Sequence, residues 1–493
     1  MTPVRVLSVA SEIYPLIKTG GLADVAGALP LALQACGVEM KTLVPGYPDV
    51  MKAMASAETR LELHNFYGGP ARLLEGSHDG LALFVLDAPQ LFARPGNPYL
   101  APDGKDWPDN GLRFAALSRM AANIGLGAIG SFVPDLVHAH DWQAALAPTF
   151  LHYAGGARPG TVITLHNLAY QGLFPRNMIE MIGLPPDSFA IQGLEYYGQV
   201  SFLKGGLQFA DRITTVSPTY AKEIQTDDGG MGLGGLLRER SAVLSGIVNG
   251  IDIAVWNPAD DPHIAATYSA GALERRAANK LALQQRLGLP PQPDSPLLGV
   301  ISRLSPQKGL DLLFANLDTI LSEGMQLALL GSGDRELEVR FAAAAKAHPD
   351  AIGVVFGYDE RLAHLIQAGC DALVVPSRFE PCGLTQLCAL RYGAVPIVAR
   401  VGGLDDTIVD ADDAGRLGLA PTGFKFGPVT ADNLARALRQ ARALFADRPA
   451  WLGLQRNGMA TDVSWNHRAS RYAELYHDIL ATRRIATHHG ATS

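Results

Sequence analysis

Residues 246–262, GIVNGIDIAVWNPADDP, crowd glycine, asparagine, aspartate and proline into one short stretch of an otherwise regular chain. These residue types supply turns and break both strand and helix periodicity. On the N-terminal side, apolar runs of strand length alternate with longer stretches of helical period. The runs are VRVLSVA (4–10), EMKTLVP (39–45), LALFVLDA (81–88), PDLVHAH (134–140), GTVITLH (160–166) and DRITTVS (211–217). Helical stretches such as GLRFAALSRMAANIG (111–125) and WQAALAPTFLHYAG (142–155) lie between them. On the C-terminal side a second series begins, with LLGVISR (297–303), MQLALLGSG (325–333), AIGVVFGY (351–358), DALVVPS (371–377) and AVPIVAR (394–400). Its separating helices include GLDLLFANLDTILSEG (309–324) and DERLAHLIQAG (359–369). Continuous apolar strands alternating with helices indicate a parallel sheet covered on both faces. The chain therefore reads as α/β, with two Rossmann-like doubly wound domains and a hinge near 250. The expected division is 1–248, 249–458, and a C-terminal helix with a tail over 459–493.

The bulk numbers agree with that size. Of 493 residues, 48% are hydrophobic and 18% charged, enough apolar content for two cores. A formal charge of −7 argues against non-specific nucleic-acid binding, which needs a basic face. The four cysteines, Cys36, Cys370, Cys382 and Cys388, form no C-x-x-C pair, which fits a reducing cytoplasm. Glu12 closes the first apolar run too early for a signal peptide, and no run approaches a membrane span.

In open α/β sheets ligands bind beyond the carboxyl ends of the strands, here in the cleft expected between the two domains. The loop KTGGLADV (18–25) follows the first strand and opens a helix. It is either a tight turn or an anion site, in which Gly20 and Gly21 admit a diphosphate to a helix N-terminus and Lys18 adds charge. It lacks G-x-G-x-x-G, so the dinucleotide fingerprint fails. In the second series, Arg303 ends a strand and Lys308 precedes a helix. They are two surface cations or a diphosphate clamp. Gly383, Leu384 and Thr385 open another helix, with Glu380 in the same loop. A carboxylate beside phosphate needs hydroxyls to face, and a sugar on a nucleoside diphosphate meets both demands. His138, His140, Asp141 and Trp142 end one strand, and His166 and Asn167 end another. H-x-H raises a metal reading, but no convincing further ligand set appears, and core or supporting histidines are the expectation. Tyr358 is a packing residue or a platform for a nucleobase. The glycine-rich TDDGGMGLGGL (226–236) reads as a mobile lid or acceptor loop.

Together these motifs resemble bacterial glycogen synthases and plant starch synthases, retaining glucosyltransferases of the GT-B fold that use ADP-glucose. The resemblance rests on KTGGLADV, RPGNPY (94–99), PDLVHAHDW (134–142), LHNLAYQG (165–172), GIVNGID (246–252), SRLSPQKGLDLL (302–313), SRFEPCGLTQL (377–387), ALRYG (389–393), VGGLDDTI (401–408) and SWNHRASRYAELY (464–476), in family order. It implies that Lys18 with Gly20 and Gly21 belongs to the ADP-glucose site, and that Arg303 and Lys308 bind the diphosphate. By the same resemblance Tyr358 lies at the adenine, Glu380 at the donor glucose, and Asp141, His166, Asn249 and Tyr99 around the transferred sugar. Many related retaining transferases carry a second glutamate eight residues after the first; Cys388 stands there in this chain. Val401 replaces a threonine of some members. The implied partners are ADP-glucose and an α-glucan such as glycogen, with no cofactor, metal, nucleic acid or membrane. A UDP-glucose enzyme and a catalytically silent glucan-binding protein are the competing readings. The latter predicts losses at the cations or Glu380, and all are present.

Overall fold

The structure is a computed structural model that describes residues 3–490, with side chains through 483. The last residues of the expected tail, from 491, lie outside the described residues. The chain packs as two compact units. One takes in Met1–Asn249 together with Trp465–Ser493, and the other is the continuous span Gly250–Ser464.

The first unit contains β1 (Val4–Val9), β2 (Val38–Pro45), β3 (Glu58–Leu63), β4 (Ala71–His78), β5 (Leu81–Asp87), β6 (Leu136–His140), β7 (Gly160–Leu165), β8 (Leu173–Phe174), β9 (Glu195–Tyr196), β10 (Gln199–Ser201), β11 (Arg212–Thr215) and β12 (Leu244–Gly246). Nine of them form one sheet in the order β12-β11-β7-β6-β1-β2-β5-β4-β3, and β8-β10-β9 form a small second one. The large sheet is parallel except for β4, which runs antiparallel to both its neighbours. The polar β3–β4 pair lacks the continuous apolar signal of the inner strands. Charged Glu58, Arg60 and Glu62 on β3 suit an edge strand.

The helix Asn466–Gly490 belongs to this unit. Its Ala469, Tyr472, Ala473, Tyr476 and Ile479 repeat at helical spacing and pack with Trp465 against Val4, Val6, Val25, Leu29 and Leu33. The first strand and the last helix thus share one core. Hydrogen bonds confirm the joint: Tyr476 Oη lies 2.8 Å from His138 Nδ1, inside the sheet.

The second unit holds β13 (Leu297–Ile301), β14 (Gln326–Gly331), β15 (Ile352–Phe356), β16 (Ala372–Val375), β17 (Val395–Ala399) and β18 (Phe424–Phe426). All are parallel, in the order β15-β14-β13-β16-β17-β18. Each sheet has one place where the winding reverses. In the first unit it lies between β1 and β6, and in the second between β13 and β16. Loops diverge there and leave a crevice at the carboxyl ends. Among the described residues no helix is long and apolar enough to cross a membrane.

Candidate active site

Beyond β1, the chain turns through buried Glu12 and enters the helix Gly21–Gln34. Glu12 organises the turn. Thr19 Oγ1 donates to its Oε1 at 2.8 Å, the Thr19 amide donates to Oε2, and the Gly20 amide reaches Oε2 at 3.3 Å. The Tyr99 hydroxyl closes the group from a distant loop, donating to Glu12 Oε1 at 2.5 Å, with Ser11 Oγ 2.7 Å from the same hydroxyl. Lys18 Nζ lies 2.9 Å from Asp24 Oδ1 and 5.4 Å from the centre of the Tyr14 ring. The cation is thereby held at the helix start, and Asp24 serves it directly.

Beyond β6, the other strand of this crevice, Asp141 sits at φ 54°, a left-handed conformation tolerated by aspartate and concentrated at functional sites. Its Oδ1 accepts the amides of His166 at 2.6 Å and Asn167 at 3.4 Å, which ties the ends of β6 and β7 together. Burial pushes the Asp141 carboxyl up to about 7; the two amides pull it down, and the charge of Glu12 raises it further. His140 Nδ1 lies 3.0 Å from His166 Nε2, and His138 Nε2 lies 2.6 Å from Thr164 Oγ1. Burial holds His140 down to about 3, and His138 and His166 well below the ordinary histidine value, so all three are neutral. The H-x-H rings lie side by side, centres 4.3 Å apart and tilted by 32°, and serve the packing of β6 against β7 and the C-terminal helix. Asn249, past β12, is buried, and its Oδ1 finds no donor within the protein.

The segment 226–236, expected to be a loose lid, is folded into tight turns. The Met231 carbonyl accepts from Tyr196 Oη at 2.7 Å and Gln171 Nε2 at 2.9 Å. A Cβ on Gly230 or Gly234 would land 2.5 Å or 2.4 Å from Thr226 O, so these glycines permit close packing.

In the second unit the crevice between β13 and β16 brings Lys308 and Glu380 together. Exposed Arg303 follows β13. Lys308 Nζ lies 2.6 Å from Glu380 Oε2, which also accepts Ser377 Oγ at 2.9 Å. Glu380 is 5% exposed. Its carboxylate is neutralised by Lys308, so it is not the bare charge expected to repel phosphate. The backbone around it is clamped from two sides. Gly309 at φ +64° passes so close that a Cβ would lie 2.0 Å from Pro376 O, and Gly402 at φ +42° stands equally close to Glu380 O. Arg378 adds a two-pronged bond to Asp311, at 2.7 and 2.6 Å. Gly383 and Leu384 then lead into the helix Thr385–Tyr392, whose start carries no side-chain cap. Cys388 is buried inside that helix, in the core. Tyr358, two residues past β15, is 78% exposed, which excludes a packing role. Its strand is two positions from β13, about 10 Å by sheet spacing.

Residues 5–239 match the starch synthase catalytic domain family and residues 284–444 the glycosyl transferases group 1 family. A protein of Bradyrhizobium diazoefficiens named Glycogen synthase 2 is 68% identical over 484 residues, covering 98% of this chain and 100% of the relative. The chain belongs to the glycogen and starch synthase family.

A glycogen synthase of Rhodopseudomonas palustris, 62% identical over 98% of this chain and 99% of its own length, agrees. Among solved structures, the catalytic domain of starch synthase IV from Arabidopsis thaliana bound to ADP and acarbose matches with TM-score 0.85 at 32% identity. It covers 97% of this chain and 100% of that one. Sucrose-phosphate synthase from Thermosynechococcus elongatus, at 17% identity and TM-score 0.59, shares the fold alone. As in other glycogen and starch synthases the fold is GT-B, and the chain is a glucosyltransferase. Within that family reading, the sequence passed over Glu12, Thr19 and Ser377. Glu12 did carry a signal, a carboxylate ending a buried central strand.

Proposed function

We propose that this member of the glycogen and starch synthase family transfers glucose from ADP-glucose to the non-reducing end of an α-1,4-glucan with retention of configuration. The observation that carries the reading is the Lys308–Glu380–Ser377 group at the second unit's crevice, with Arg303 on the adjoining strand end and an uncapped helix start directly after it. The ADP and acarbose bound to the starch synthase IV structure support the same donor and acceptor classes. Arg303 and Lys308 take the diphosphate, with Lys18, Gly20 and Gly21 adding charge and open backbone. The Gly383, Leu384 and Thr385 amides complete the anion site. Glu380 and Asn249 face sugar hydroxyls, with Tyr99 and His166 around the transferred glucose and Tyr358 beneath the adenine.

Cleavage of the bond from C1 to the diphosphate places positive charge on the sugar ring and negative charge on the departing ADP. The cations and amides stabilise the latter. The carboxylates of the first unit are poor nucleophiles. Glu12 is occupied by Thr19, Gly20 and Tyr99, and Asp141 is held by two amides with a pKa near neutrality. A same-face attack, with the leaving phosphate taking the acceptor's proton, fits that arrangement. Asp141 and His166 then shape the sugar pocket without forming a covalent bond.

The test is ADP release from ADP-glucose with glycogen as acceptor. Lys18→Ala and Glu380→Ala are expected to lose about 100- to 1000-fold in rate, as does removing one group that stabilises a developing anion. Release that does not depend on glycogen would point to hydrolysis. Equal turnover with UDP-glucose would overturn the donor assignment, and near-normal turnover of Asp141→Asn would exclude a nucleophile there.

A further inference from the structure

Tyr358 is exposed at its ring and tethered at its hydroxyl, which donates to Glu360 Oε2. Glu360 opens the helix Glu360–Gly369, whose start is capped by Asp359 accepting the Leu362 amide at 2.9 Å. The other carboxylate oxygen, Oε1, faces His364 Nε2 at 3.8 Å, one helical turn on. His364 is 2% exposed, and its Nδ1 lies 2.7 Å from Asp261 Oδ2. Asp261 also accepts Tyr392 Oη at 2.6 Å and the His263 amide at 2.8 Å, so its charge is fully engaged. Trp256 lies flat on the imidazole, ring centres 3.9 Å apart at 8°, the geometry that favours an imidazolium. Trp256 and Asp261 both come from the turn-rich stretch that opens the second unit. A chain of contacts thus runs from that stretch through a buried histidine to the exposed ring.

We propose that His364 is a positioning residue for the donor's nucleobase, holding Glu360 so that Glu360 fixes the hydroxyl of Tyr358 and sets the plane of its ring. The proposal rests on the reading of Tyr358 as the platform for the base. A tethered ring loses less freedom when a base stacks on it than a free one does. The groups facing His364 are Asp261, the Tyr392 hydroxyl and the His263 ring from neighbouring segments, and Glu360 from its own helix. Burial opposes the charge on His364, but its bonds to Asp261 and Glu360 prevail and hold its pKa above the ordinary value. With the proton present, Nε2–H attracts Glu360. Once it is lost, the nitrogen's lone pair faces the carboxylate, and Glu360 and Tyr358 are released.

The experiment is initial-rate kinetics of the full chain with ADP-glucose varied and glycogen saturating, across pH 6 to 9, for wild type, Tyr358→Ala, Tyr358→Phe, Glu360→Gln and His364→Gln. The donor KM of wild type should rise with pH. Tyr358→Phe and Glu360→Gln should raise it about 5-fold at low pH, roughly one hydrogen bond, and flatten its pH dependence, with the change in KM and not kcat. Both alter exposed or half-exposed side chains, so the test survives if His364→Gln folds poorly. If Tyr358→Ala leaves the donor KM unchanged, the platform reading itself fails. If Tyr358→Ala raises KM while Tyr358→Phe and Glu360→Gln behave as wild type, the platform stands and the positioning role is overturned. A raised KM with an unflattened pH profile would remove His364 from the chain of contacts.

Discussion

A methyl group added to Gly20 would meet no protein atom within 4 Å, and the residue's backbone is extended, as any residue allows. Nothing in the fold requires glycine there, so under the proposed function its role is to admit the donor's diphosphate to the loop. Gly20→Ala should leave the thermal midpoint unchanged and lower kcat/KM for ADP-glucose about tenfold or more, some 1.4 kcal/mol of transition-state binding. A melt and a donor titration on the same preparation check both halves. At this scale the sequence was readable where residue type and local position suffice: Lys18 before a helix, Asp141 after a strand, Lys308 before a turn. For Glu12 it offered only a carboxylate after a buried strand and not its role, because the hydroxyl that completes its environment lies 87 residues away on Tyr99. It also separated Lys308 from Glu380, 72 residues apart, and so assigned phosphate to one and sugar to the other without seeing them neutralise each other.

The loops between elements are built by glycines of another kind. At Gly402 a Cβ would fall 2.0 Å from Glu380 O, and φ is +42°. Gly402→Ala must therefore push back the loop that carries Glu380. The expected cost is about 1–3 kcal/mol of stability from strain alone, together with a loss of activity approaching that of Glu380→Ala. Calorimetry and the ADP-release assay would show both, in contrast to Gly20→Ala. The inner strands were legible as elements because they are apolar throughout. Strands β3 and β4 were not: β3 is exposed over most of its length and β4 ends in Glu75, Gly76, Ser77 and His78, so neither a continuous apolar run nor a clean alternation marks the pair. The apolar stripe around Tyr472 and Tyr476 announced a helix, but helical period says nothing about which core the stripe will join.

At the scale of the molecule, the neutral histidines His138, His140 and His166 make the first unit acid-sensitive. Their native pKa values are depressed, so the stability they contribute is complete above about pH 6.5 and lost as pH falls. Three protons taken up only by the unfolded chain would cost up to about 4 kcal/mol per pH unit. Asp141 acts with the opposite sign. Its raised pKa lets the native state hold a proton between the ordinary carboxylate value and about 7, which offsets one of the three. Thermal melts between pH 4.5 and 7.5 should thus show Asp141→Asn losing stability more steeply than wild type, by about 1.4 kcal/mol per pH unit.

The second unit is one unbroken span, whereas the first needs both β1 and the helix that begins at Asn466. Synthesis runs at about 5–20 residues per second. The ribosome therefore finishes the whole of Gly250–Ser464 while Val4, Val6, Leu29 and Leu33 still await Tyr472 and Tyr476. For ten seconds or more, at about those rates, the nascent chain carries an uncovered apolar face on the unit begun earlier. The half made first is the half that matures last, and a chaperone that shields such faces would find its client there.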